Sequence, residues 1–142
     1  DGGDAAKALI ADMKATLVDL GKLYSGKPVE RFATAIEAVE DATLWLLDQK
    51  ADPNAAADVL AAADAYLKLL GDVAGGWMLA KGALAAKAKL DANDGDPVWL
   101  QGKLDLYEVY AANVLGHVSS RLAAVGQGGD LLRRMTVDAL AG

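Results

Sequence analysis

Four stretches of this chain carry apolar side chains at steps of three and four residues, the spacing of a helix that buries one face. In the first, from about Asp4 to Tyr24, the stripe is Ala6, Leu9, Met13, Leu17, Leu20 and Tyr24, and Ser25, Gly26 and Lys27 end it. Pro28 suits the opening turn of the second, because proline lacks only an N–H that has no intrahelical partner there. That segment runs to about Lys50 with Val29, Phe32, Ile36, Val39, Thr43 and Leu46 inward. Asp52-Pro53 and Asp96-Pro97 repeat one start signal, an acidic N-cap followed by proline at the first helical position. The third segment, from about Pro53 to Leu90, places Val59, Ala63, Leu67, Leu70 and Trp77 inward and ends at "DANDGD". The fourth, from Pro97 to Val125, carries Leu100, Leu104, Tyr107, Ala111, Val114, Val118, Leu122 and Val125, a seam close to heptad spacing. "GQGG" closes it, and "DLLRRMTVDALAG" reads as a short terminal helix or tail. The pattern predicts an all-α fold, an up-and-down four-helix bundle with long third and fourth helices, forming one domain over residues 1–142.

One feature of the third segment works against its own helix. Gly75, Gly76 and Gly82 lie in its interior, and each costs about 0.5–1 kcal/mol relative to alanine. Gly71, Gly75, Gly82 and Ala86 recur at steps of four, seven and four, so that one side of the helix is nearly bare backbone. Such a side lets a neighbouring helix approach closely and gain dispersion contacts. Gly71, Gly75, Gly76, Gly82 and Ala86 are therefore candidate helix-packing positions, and a kink at Gly75-Gly76 is the rival reading.

Composition narrows the function. Alanine and leucine dominate, prolines number 3, and Phe32 is the single phenylalanine, which favours helices. A net charge of −6 with no basic block speaks against nucleic-acid binding. Without cysteine there is no disulfide, thiolate metal site or cysteine nucleophile. The longest run free of charged residues, between Glu108 and Arg121, is shorter than the roughly 20 residues a membrane-spanning helix needs. The expectation is a soluble, cytoplasmic chain with no membrane span. The opening "DGGDAAKALIADMK" lacks a signal-peptide pattern and an initiator methionine, and reads as a fragment or a processed chain.

Legible chemistry is sparse. Carboxylate-bridged metal sites in helical bundles use Glu-x-x-His motifs. His117 is the single histidine and no such motif exists, while Glu37 and Glu40 beside Asp41 read as a solvated acidic face. His117 has no nucleophile or carboxylate at motif spacing, and the hydroxyls of Ser119 and Ser120 suit bonds to carbonyls of their own helix. The glycine runs follow no strand, so neither is a phosphate loop. Catalytic, cofactor-binding and metal residues are thus expected to be absent. The aromatics belong to the core or its rim, with Trp45 and Trp99 the candidates for a partner surface.

"LGDVAGGWMLAKGALAA" at 70–86, followed by "GKLDLYEVYAANVL" at 102–115, resembles the extra C-terminal helical domain of the large bacterial acyl-CoA dehydrogenases. The matching positions are Leu70, Gly71, Gly76, Trp77, Lys103, Leu104, Tyr110 and Ala111, and "DGGDAAKALIADM" resembles the Asp-Gly-Gly junction after the catalytic helices. Gly116 departs from the pattern, standing where the family often has proline.

The resemblance implies a parent flavoprotein that binds FAD and oxidises an acyl-CoA thioester in fatty acid metabolism. A glutamate takes the α-proton while hydride passes to the flavin. That base belongs to a Tyr-Glu-Gly-Thr type motif upstream of the junction; Tyr107-Glu108 continues as Val109-Tyr110 and does not match it. The chain then has no cofactor of its own. Its partner is the remainder of the parent chain, it meets acyl-CoA only through that parent, and alone it forms a weak homodimer through a face with Trp45 or Trp99. The alternative is an independent helical interaction module of a sensor-like or phasin-like kind.

Overall fold

A computed structural model of the protein describes residues 2–134, Asp138 and Ala141. The helices are α1 (Asp4–Leu23), α2 (Lys27–Ala51), α3 (Ala56–Asp91), α4 (Pro97–Asn113) and α5 (Val118–Arg134). Short 3₁₀ turns at Pro53–Ala55 and Leu115–His117 lead into α3 and α5. Among the described residues there is no strand. Of the expected terminal tail, residues 135–137, 139, 140 and 142 lie outside the described residues.

Both aspartate–proline starts are built as capping chemistry requires. The Asp96 carboxylate accepts from the Val98 N–H at 2.9 Å, and that of Asp52 accepts from the Asn54 N–H at 2.9 Å. Each satisfies an N–H that the first turn leaves without a carbonyl. Between α1 and α2, Gly26 takes φ 70°, a left-handed conformation that disfavours any side chain.

α2 and α3 each pack against all the other helices, with α1 on this pair at one side and α4 and α5 following one another along α3. Met13 and Leu20 of α1, Phe32, Ile36 and Val39 of α2, and Leu69 and Val73 of α3 are fully enclosed with Tyr107, Leu115, Val118 and Val125. The buried Thr43 hydroxyl donates to the Val39 carbonyl at 2.7 Å and pairs with the Tyr66 hydroxyl at 2.9 Å.

Three expectations need correction. The fourth segment is not one helix: α4 stops at Asn113, and a 3₁₀ turn intervenes before α5. Within that turn the His117 N–H bonds the Val114 carbonyl at 3.0 Å, an i→i−3 link. Leu115 and Val118 are buried on either side, so the apolar spacing continues across a break that periodicity cannot register. Second, α5 continues through Gly126–Gly129 instead of ending there. Third, the inward face of α3 is Ala62, Leu69, Val73, Gly76, Ala80, Ala83 and Ala86, while Ala63 and Leu67 are exposed. α3 has leucine and alanine on most of its circumference, and no single stripe stands out from such a pattern.

Candidate functional site at the packing of α3 and α4

Tyr110 on α4 donates its hydroxyl to the Asp72 carbonyl of α3 at 2.9 Å. That hydroxyl occupies the space of a missing side chain: a Cβ at Gly75 would stand 2.5 Å from it. One residue on, a Cβ at Gly76 would meet both Leu115 methyl carbons at 2.9 Å. Around Gly71 and Gly82 a Cβ would meet nothing within 4 Å. Among the glycines of α3, close approach is therefore confined to Gly75 and Gly76, and the bare side expected at Gly71, Gly75, Gly82 and Ala86 makes no such approach at Gly71 or Gly82. Through the glycine pair α3 remains one continuous helix of 36 residues. Arg121 of α5 meets the Asp72 carboxylate at 3.3 Å just beyond the pair.

Toward the end of α3, residues of both helices line a cavity of about 350 Å³. Met78, Gly82, Ala86 and Leu100 line it, Trp99 forms a wall, and Lys89 and Lys103 supply its charged lining. Ala86 is buried there. The Lys103 ammonium sits 4.6 Å from the Trp99 ring centroid, a cation–π contact.

The tryptophans differ in placement. Trp99 is 60% exposed. Trp45 is half-buried against the core. Trp77, also half-buried, donates its indole N–H to the Thr16 hydroxyl at 2.8 Å and lies 4.8 Å from the Lys81 ammonium. Sequence reasoning missed the exposed Met78 of α3 and the exposed Val98, Leu106 and Val109 that share α4 with Trp99. The available signal was that Val98, Trp99, Leu106 and Val109 fall outside the seam of Leu100, Leu104, Tyr107 and Ala111.

Three tyrosine hydroxyls are spent on backbone carbonyls. Besides Tyr110, Tyr107 donates to the Pro28 carbonyl at 2.6 Å and Tyr24 to that of Leu104 at 3.1 Å. Burial pushes the Tyr24 hydroxyl up to about 12, helped by the charges of Glu108 and Asp105. Burial raises Tyr107 further and also raises Tyr110, with Asp72 adding to the latter. An unfolded tyrosine ionises near pH 10. The stabilisation from keeping these groups neutral is complete below that pH and is lost as pH rises through the folded values. Chemical denaturation should show stability falling between about pH 10 and about pH 12. Tyrosinate absorbance should rise with unfolding; ionisation of all tyrosines near pH 10 in a folded chain would contradict this.

His117, Ser119 and Ser120 are exposed, and the Ser120 hydroxyl donates to the His117 carbonyl at 2.8 Å. Glu40 pairs with Lys14 at 2.7 Å. Among the described residues no group of three or more acidic or histidine side chains is arranged to hold a metal, and no helix is long and apolar enough to cross a membrane.

The model of the acetyl-CoA dehydrogenase C-terminal-like family matches residues 7–136. The chain belongs to that family. Among curated proteins it is similar to 3-methylmercaptopropionyl-CoA dehydrogenase of Ruegeria pomeroyi, 33% identical over 137 residues. The aligned region is 93% of this chain and 22% of the relative, so the chain spans about a fifth of that protein's length. No solved structure matches the chain.

Proposed function

We propose that this chain is the non-catalytic C-terminal helical domain of an FAD-dependent, acyl-CoA dehydrogenase-like protein. It packs against the rest of that polypeptide and supports its assembly or shields its active-site region. The observation that carries the reading is the family match over nearly the whole chain, combined with alignment to only 22% of a dehydrogenase. In this reading the chain is an up-and-down four-helix bundle in which α4 and α5 share the fourth arm. FAD and acyl-CoA belong to the parent, which works in the cytoplasm.

The purified chain is expected to be colourless, to retain no FAD and to reduce no electron acceptor with any acyl-CoA. Flavin retained at near-stoichiometric level would overturn the non-catalytic assignment. The upstream reading frame provides the second test. A continuous frame with a Tyr-Glu-Gly-Thr type motif before "DGGD" supports a parent enzyme; a start codon immediately before Asp1 favours an independent interaction module.

A further inference from the structure

Resting on that reading, we propose that the outer face of α4, with the cavity it walls against α3, seats a segment from the preceding part of the same polypeptide. The segment is an apolar helix or loop edge flanked by carboxylates.

The case begins with α4 itself. Leu100, Leu104, Tyr107 and Ala111 are buried on one side. On the other side Val98 is 80% exposed, Trp99 60% and Val109 58%, with Leu106 between them. α4 also exposes Gln101, Asp105 and Glu108, so this is an apolar strip beside polar residues, the form in which exposed apolar patches mark contact sites. Met78 of α3 extends the open face, and the cavity below Trp99 gives it a socket for a protruding side chain. Tryptophan in such a setting is the commonest kind of interface anchor.

Charge supplies the rest of the occupant's chemistry. The protein carries a net charge of −6, and α4 itself exposes Asp105 and Glu108, yet the two charged residues lining the socket are Lys103 and Lys89, the latter pairing with Asp94 at 3.4 Å. Those lysines favour a surface that brings carboxylates to them. The comparison favours an occupant in cis, because 78% of the aligned dehydrogenase lies outside the region shared with this chain (100% − 22%). A linked segment is present at an effective concentration of order millimolar, so this modest face need not bind a free partner tightly.

Hydroxyl-radical footprinting of the longer polypeptide that carries this chain tests the proposal, with the same protein unfolded in guanidinium as the reference. In the flavin-loaded protein Met78 and Trp99 are expected to oxidise several-fold more slowly than in the reference. Val98→Asp and Val109→Asp alter only exposed positions and should return Trp99 most of the way to the unfolded rate with flavin content unchanged. A flavin-loaded protein whose Trp99 and Met78 oxidise at nearly the unfolded rate would overturn the docking face and leave the domain assignment standing. Protection that vanishes on dilution would identify a second copy as the occupant and also overturn it. A longer protein that binds no flavin would remove the reading beneath the proposal.

Discussion

Gly76→Leu is expected to destabilise the protein by about 1–3 kcal/mol or more, the range for forcing extra methylenes into a filled core. A Cβ alone would come within 2.9 Å of two Leu115 methyl carbons, and Leu115 is itself buried. It cannot swing to solvent. Better helix propensity returns at most about 1 kcal/mol, so the clash decides the sign. Gly82→Ala supplies the contrast: a Cβ there meets nothing within 4 Å, and propensity alone should raise stability by about 0.5–1 kcal/mol. Leu115→Ala added to Gly76→Leu should recover part of the loss, because the two positions share one volume. Denaturant midpoints of the three variants measure this; a neutral Gly76→Leu would mean that the 3₁₀ turn after α4 yields freely.

Tyr107→Ala carries the other large effect, about 3–5 kcal/mol by analogy with truncation of buried aromatic rings. Tyr107 has no exposed surface, its ring centroid lies 5.4 Å from that of Tyr24, and its hydroxyl holds the Pro28 carbonyl at the start of α2. Removing the ring opens a cavity and removes the hydrogen bond from α4 to that carbonyl. Tyr107→Phe isolates the second part and should cost about 0.5–1.5 kcal/mol, the net contribution of one hydrogen bond. If Tyr107→Phe alone matched the alanine variant, the hydrogen bond and not the packing would be joining α4 to α2.

How much of this was legible beforehand depended on whether the cause was local. Asp52 and Asp96 announce their helix starts because capping needs only the neighbouring N–H groups. The inward positions Phe32, Ile36, Val39 and Thr43 of α2 stand out because polar residues separate them. α3 lacks that contrast. Its core contacts run through Ala62, Ala80 and Ala83, chosen by how near the other helices come, and Leu67 stays outside. The turn at Leu115–His117 was hidden for a related reason, since both sides of it satisfy the same spacing. In the packing site, Gly75 and Gly76 were distinguishable from Gly71 and Gly82 only once Tyr110 and Leu115 were in place. Trp99 could be marked as a candidate, but its company of Val98, Leu106 and Val109 required knowing which side of α4 the core had taken.

The uninterrupted course of α3 also limits how the length of this chain can change. Each residue of an α-helix turns the chain by about 100° and advances it about 1.5 Å. One residue inserted between Leu69 and Gly76 would rotate the second half of α3 relative to the first. Leu69 could then keep its place in the core, or Gly76 could keep its place under Leu115, but not both. Ala92–Asp96 has no such double obligation, because all five residues are exposed and lie between helices. Insertions and deletions within this architecture are thereby steered to that loop, while α3 acts as a ruler whose length every other helix reads.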